Sequence, residues 1–304
     1  MQISRCSPFQ ASQSIKPFAS VRSRLRHIGG MWILGAWFFA AQAITCHAQS
    51  IAFTFDDGFD VSSSGGQAAA DNAAMLAALK QHHVRGMLFP AGPALDNLEN
   101  MALVRAWSQH GHAIGNHTYR HTSLSNTDAE QYFADVSHAQ NILQDLPGWC
   151  PRLRFPYLDE GNTQALHNQA MQWLAQQGYG VAAVTVSLPD WEFAQHYLDT
   201  LQSGSDTDAA TFRQNYVQQL WTQIQTQEAH WFKILKRSPA HVLLLHTNHL
   251  NAAVLPDLLD LLKHNGWRII DPGSAFQDPI YQRSYTSPQA TGVPPSTLPS
   301  PACQ

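Results

Sequence analysis

The sequence predicts an α/β domain built on a parallel sheet, and three observations predict it. Stretches with helical apolar periodicity alternate with extended ones. Most of the extended stretches, such as Ile51 to Phe55 and Val242 to Leu245, are short continuous apolar runs, the pattern of strands buried on both faces. The residues with chemical potential follow the carboxyl ends of those runs, where α/β barrels and open α/β sheets both build their sites. A chain of 304 residues that is 44% hydrophobic is long enough for one large globular domain with a sizeable core.

Ile51 to Phe55 is the first strand, and Thr54-Phe55-Asp56-Asp57-Gly58 is its exit. Ser62 to Gly66 is a loop, and the Ala- and Leu-rich stretch Ala68 to Gln81 is a helix. Val84 to Phe89, ended by Pro90, is a strand. Leu98 to His110 is helical by periodicity, with Gly111 as its stop. His112 to Asn116 is a short strand leaving through a Gly-Asn turn into His117-Thr118-Tyr119-Arg120-His121. Thr127 to Leu146 is a helix with Thr127 as its cap and Glu130 three residues on. Leu153 to Tyr157 is a brief extended segment. Thr163 to Gln177 is a helix closed by Gly178, and Val181 to Val186 is a buried strand ending before Pro189-Asp190-Trp191. The long amphipathic stretch Asp208 to Lys236 leads to the strand Val242 to Leu245 and His246. Ala252 to His264 is a helix stopped by Asn265-Gly266, and Trp267 to Ile270 is the last strand.

A net charge of -4 with 18 Lys plus Arg leaves no basic stripe, which argues against a nucleic-acid partner. Histidine is abundant at 16, and only its spacing carries meaning. Residues 1–48 read as a secretory signal: Arg22, Arg24, Arg26 and His27 precede the apolar run Met31 to Ala41, and Cys46-His47-Ala48 offers small residues to a signal peptidase after Ala48. The run is shorter than the roughly 20 residues of a membrane span. No stable membrane span is therefore expected after cleavage, and the protein is expected to be a secreted or periplasmic monomer; an uncleaved anchor is the alternative. Residues 49–283 form the expected catalytic domain, and 284–304, rich in Pro, Ser and Thr, a flexible tail. Cys150 and Cys303 remain after the signal and are able to pair in an oxidising compartment, although sequence does not settle the geometry. Cysteine spacing excludes a cysteine-based metal cluster.

Asp56 and Asp57 are adjacent carboxylates at the mouth of an apolar strand. They repel and lose hydration, an arrangement that a cation or a shared proton compensates; alone, they also fit an Asp-Asp-Gly turn. His117 and His121, four apart, would share one face of a helical turn and grip one metal, although in a histidine-rich chain such a pair also fits surface or core roles. One carboxylate with two imidazoles is a hydrolytic metal set that leaves a position open for water, and the second carboxylate is then free to act as a base.

With Arg154-Phe155-Pro156-Tyr157, Asp190-Trp191 and Leu244-Leu245-His246, these two motifs stand in the order in which they occur in a known family. From about Ser50 to Ile270 the chain resembles the polysaccharide deacetylases of carbohydrate esterase family 4, which share the NodB-homology domain. The resemblance implies a distorted (β/α) barrel and a divalent metal, usually zinc, held by Asp57, His117 and His121. It implies Asp56 as the general base toward a metal-activated water and His246 as the general acid for the departing amine, a role that suits a group titrating near neutrality. Arg154 would orient Asp56, which stays ionised beside a cation and a guanidinium, and Asp190 would fix the tautomer of His246. Trp191 and Leu244 would wall the acetyl methyl, plain core packing being the other reading of Trp191. The Tyr157 backbone N–H would donate to the oxyanion. The implied reaction is hydrolysis of a linear amide, releasing acetate from an N-acetylated glycan such as peptidoglycan or a chitin-like N-acetylglucosamine polymer.

Three departures accompany the resemblance. Tyr157 is followed by Leu158-Asp159-Glu160-Gly161 where the family usually continues with Gly, which implies a reshaped loop beside the substrate. Thr247-Asn248-His249 replaces an acidic residue after His246, and His249 reads as a surface or cleft-lining residue. Ala194 to Lys236 carries Trp221 and Trp231, either as an aromatic platform for sugars or as the apolar side of a helix packed on the barrel. Two other functions stay open: a deacetylase or amidase on a small non-glycan amide, and a carbohydrate-binding protein without catalysis. The joint presence of Asp56, Asp57, His117, His121 and His246 argues against the second.

Overall fold

The central strand is β1 (Ser50–Asp57), whose apolar run is interrupted only by Thr54 before the two carboxylates. The computed structural model describes residues 49–62, 66–285, 296–299, 301 and 303, so the expected signal over residues 1–48 lies outside the described residues. After β1 come α1 (Ala68–Gln81), β2 (Met87–Pro90), α2 (Leu98–Gln109), β3 (Ala113–Asn116), α3 (Ala129–Leu143), β4 (Trp149–Leu153), α4 (Gln164–Gln176) and β5 (Gly180–Val181). Then follow α5 (Asp190–Gln202), α6 (Asp206–Leu235), β6 (Ala240–His246), α7 (His249–His264) and β7 (Arg268–Ile269).

The strands pair in the order β5-β4-β3-β2-β1-β6, with β7 added to the start of β1, and every pairing among them is parallel. The segment after β5 closes the sheet on itself. Its Ala182 N–H donates to Leu153 at 2.8 Å on the β4 edge, while Val186 exchanges bonds with β6, donating to Val242 at 3.1 Å and accepting from Leu244 at 3.0 Å. The result is a distorted α/β barrel.

Strand alternation divides the core. Ile51, Phe53 and Phe55 join Leu243 and Leu245 in the cluster under α1, α2, α6 and α7, whereas Ala52 and Val242 join Met87 and Phe89 in the other. Each wholly buried phenylalanine contributes about 1.5–3 kcal/mol through the area it removes from water. Thr54 and Asp56 alternate with the outward residues of β1 and so share the inner face with Leu244 and His246, their register partners on β6.

Several boundaries depart from the sequence reading. The cap of α3 is Asp128 rather than Thr127, because the Asp128 carboxylate accepts from the N–H groups of Glu130 and Gln131 at 3.0 and 3.2 Å. The fourth strand lies at Trp149–Leu153, and Pro156–Leu158 is a turn of 3-10 helix. Asp190 opens a full helix, α5, in which no helix was expected. The described residues beyond Arg283 are tied down rather than free. Ser284–Tyr285 pairs with Ser296–Thr297, Leu298 is buried, the Pro301 carbonyl accepts from Arg152 at 3.2 Å, and Cys303 is joined to Cys150 by a disulfide. The Pro-rich composition hid these anchors, since none of them has a sequence period.

Candidate active site

Parallel strands place their carboxyl ends on one rim, and Asp57, Asn116 and His246 are the last residues of β1, β3 and β6. Asp57 Oδ1 lies 3.7 Å from His117 Nε2 and 3.4 Å from His121 Nε2, and the ligating atoms of all three residues lie within 4.8 Å of one another. The helical turn expected between the histidines does not form. Thr118 and His121 take left-handed conformations instead, with φ of 63° and 54°. Asn116 Oδ1 accepts from the Thr118 N–H at 2.8 Å, and Thr118 Oγ1 accepts from the His121 N–H at 3.0 Å. The Asp135 carboxylate on α3 accepts from the N–H groups of Tyr119 and Arg120 at 3.1 and 2.8 Å. Asp57 and Tyr157 are left-handed too, with φ of 76° and 59°. Such conformations cost about 1–3 kcal/mol each for residues with side chains. Here they cluster where the three donor atoms converge.

His117 is buried, and its Nδ1 lies 2.7 Å from the Arg154 carbonyl. A carbonyl only accepts, so Nδ1 carries the proton and the Nε2 lone pair faces Asp57. Burial drives the His117 pKa down to about 3 although Asp57 opposes it, so the imidazole stays neutral and able to ligate. One carboxylate oxygen and two imidazole nitrogens form the donor set of a zinc-type site. Beside them the buried Asp56 Oδ1 has no hydrogen-bond partner. The residues fit a divalent cation.

Asp56 Oδ2 lies 3.8 Å from His117 Nε2 and 3.6 Å from Arg154 Nη1. Burial raises the Asp56 pKa and outweighs the opposing pull of Arg154 and His246. The guanidinium is wholly buried, donates to Thr54 Oγ1 at 2.9 Å and lies 4.8 Å from the centre of the Phe89 ring.

On the β6 side, His246 Nδ1 donates to Asp190 Oδ1 at 2.6 Å and its backbone N–H to Asp190 Oδ2 at 2.7 Å. Burial pulls the His246 pKa down, but the Asp190 bond and charge raise it to about 9. Two exposed aromatics flank the opening: Tyr157 lies edge-on to His121 at 4.8 Å and Trp191 edge-on to His246 at 5.3 Å. Trp191 is 56% exposed, so the core-packing reading does not hold, whereas Leu244 is buried below His246 on the inner face. The Tyr157 N–H takes no part in the turn's two bonds, which run from Leu158 to Phe155 and from Asp159 to Pro156.

The loop after Tyr157 is pinned. Asp159 accepts from the Ser123 hydroxyl at 2.5 Å, the Ser125 N–H and hydroxyl at 2.8 and 2.6 Å, and the Gly161 N–H at 3.0 Å. Glu160 pairs with Arg283 at 3.1 Å, and both border a cavity of about 210 Å³ against Val181 to Val184. His249 is half-buried, with 30% of its side chain exposed; it pairs with Asp71 at 2.9 Å and stacks on Tyr197. Trp221 meets Trp267 edge-on at 6.3 Å within the core, which favours the packing role of α6. Sequence reasoning missed Thr54, Asp135, Tyr216 and Asn251; of these, only the Asn-x-x-Asn start of α7 offered a local signal, a capping pattern.

Residues 44–179 match the polysaccharide deacetylase family. A peptidoglycan-N-acetylglucosamine deacetylase of Bacillus cereus is 31% identical over 143 residues, 47% of this chain and 46% of that protein. A chitin deacetylase of Colletotrichum lindemuthianum is 29% identical over 112 residues, 36% of this chain and 42% of that protein. The chain thus spans less than half the length of either relative. A solved peptidoglycan N-acetylglucosamine deacetylase shares the fold, with a TM-score of 0.53 at 22% identity, covering 75% of this chain and 88% of that one. The matched region contains Asp56, Asp57, His117, His121, Arg154 and Tyr157, whereas Asp190, Trp191, Leu244 and His246 lie beyond it.

Proposed function

We propose, from the premise that this chain belongs to the polysaccharide deacetylase family, that it is a secreted metal-dependent hydrolase removing N-acetyl groups from a glycan, peptidoglycan or a chitin-like polymer of N-acetylglucosamine. The observation that carries this reading is the convergence of Asp57, His117 and His121 between a buried carboxylate, Asp56, and a carboxylate-bound imidazole, His246. A binding protein needs no such pairing of base and acid.

Asp57, His117 and His121 would hold the divalent cation, zinc by preference of the donor set, which supplies Lewis acidity to water and to the amide carbonyl. Asp56, its pKa lifted by burial, takes the proton from the attacking water at its unpartnered Oδ1. The Tyr157 N–H donates to the developing oxyanion. His246, protonated on Nδ1 by virtue of Asp190, gives a proton from Nε2 to the departing amine. Trp191 and Tyr157 offer exposed faces to the sugar, and Leu244 closes the apolar floor. Secretion rests on the charge and apolar pattern of residues 1–48; among the described residues no helix is long and apolar enough to cross a membrane.

The test is acetate release by the mature domain from N-acetylglucosamine oligomers, from peptidoglycan and from small acetylated amides. Release from the glycans alone is expected. Release from the small amides alone would move the activity to a non-glycan substrate, and glycan binding without hydrolysis would make the protein a binder.

A further inference from the structure

Asp190 is wholly buried, and its hydrogen bonds extend well past His246. Oδ1 accepts from His246 Nδ1, whereas Oδ2 accepts from the His246 N–H at 2.7 Å, from Asn251 Nδ2 at 2.5 Å and, more weakly, from Asn248 Nδ2 at 3.5 Å. Asn251 Nδ2 also donates to the His246 carbonyl at 2.8 Å. One amide therefore touches both the residue that would hold the acid and the backbone of the acid itself. Asn251 is buried in turn, and its Oδ1 accepts from the Tyr216 hydroxyl at 2.9 Å. Tyr216 comes from α6, within the long segment between the Asp190-Trp191 and Leu244-Leu245-His246 motifs.

The direction of this chain is fixed by what each atom can do. Were the Asn251 amide reversed, its oxygen would face the Asp190 carboxylate and the His246 carbonyl, two acceptors with nothing to donate. Burial and the Asp190 charge push the Tyr216 phenol well above its ordinary value, so its hydroxyl stays protonated and donates. The Asn251 oxygen is thereby turned toward Tyr216 and its NH₂ group toward Asp190.

We propose that Tyr216 and Asn251 are positioning residues for His246: the Tyr216 hydroxyl orients the Asn251 amide, which holds Asp190 so that Oδ1 keeps the proton on His246 Nδ1 and leaves Nε2 for the substrate. This rests on the deacetylase reading only in giving His246 a proton to deliver. The hydrogen-bonded chain itself is independent of it.

The test is Tyr216→Phe, which removes one oxygen and keeps the ring packing, with Tyr197→Phe as a control that alters another phenol hydroxyl, on α5, which accepts from Arg213 of α6 and has no bond to Asn251 or Asp190. The readouts are the downfield proton resonance of His246 Nδ1–H, assigned by its loss in His246→Gln, together with zinc affinity and the pH profile of acetate release. In Tyr216→Phe the resonance should shift or broaden by exchange, kcat should fall about fivefold to tenfold with KM unchanged and the profile displaced, and zinc should bind as before. Asn251→Asp, which sets a second carboxylate against Asp190, should lose more. An unmoved resonance in Tyr216→Phe, or an equal displacement in Tyr197→Phe, overturns the proposal. If the parent releases no acetate, the deacetylase reading falls while the resonance still decides the role of Tyr216.

Discussion

His117 donates its Nδ1 proton to the Arg154 carbonyl at 2.7 Å, so the segment that brings the guanidinium toward Asp56 also decides which His117 nitrogen faces Asp57. Base and ligand are oriented by one backbone position. Second-sphere bonds of this kind fix the tautomer of a ligating histidine.

Removal of a ligand should therefore separate from removal of the base. His117→Ala should lose stoichiometric zinc, measured by calorimetric titration of the chelated protein. Asp56→Asn should keep zinc and lose about 10²- to 10⁴-fold in kcat. Equal loss of metal in both variants would contradict the division of roles.

The Asp190–His246 pair should make stability depend on pH. The folded pKa of His246, at about 9, lies above the ordinary histidine value, so its contribution is full below pH 6.5 and is lost as the pH rises through about 9. A shift of that size corresponds to roughly 3 kcal/mol. Thermal unfolding of the chelated protein should lose this increment between pH 6 and 9, and Asp190→Asn should flatten the dependence.

Gly115→Ala should disturb the site through the core. A Cβ at Gly115 would come within 2.2 Å of Phe89 Cε1 and 2.8 Å of Met87 Cε, and the Phe89 ring lies under the Arg154 guanidinium. Overpacking of this kind costs about 1–3 kcal/mol. Denaturant unfolding should show that loss together with a fall in kcat, because Phe89 cannot move without releasing Arg154.

Trp191→Ala should behave in the opposite way. The ring is 56% exposed, so the midpoint of unfolding should stay within about 0.5 kcal/mol of the parent, as for most surface substitutions. KM for N-acetylglucosamine oligomers should rise several-fold; a large loss of stability with unchanged KM would return Trp191 to a packing role.

The strands that position the site were legible because β1, β2 and β6 are predominantly apolar, and the ends of β1 and β6 marked Asp56, Asp57 and His246. The spacing of His117 and His121 was also legible, but the way they converge was not. The spacing suggested a helix, whereas a loop with two left-handed residues, held by Asp135 some fifteen residues on, brings them together. β4 escaped because Pro151 and Arg152 interrupt its apolar signal, and Arg152 is accommodated by the Phe276 ring 4.5 Å away, from the far end of the chain. Tyr216 was silent for the same reason. A tyrosine on an amphipathic helix looks like packing until the fold sets its hydroxyl against an amide 35 positions away.

The most direct test of the central claim is acetate release from N-acetylglucosamine oligomers by the parent and by Asp56→Asn, each stripped by a chelator and then titrated with zinc. The parent should fall silent on stripping and recover as zinc approaches one equivalent, while Asp56→Asn binds the same equivalent and stays silent. Undiminished release from the stripped parent, or full activity in Asp56→Asn, would contradict a cation at Asp57, His117 and His121 served by Asp56 as base.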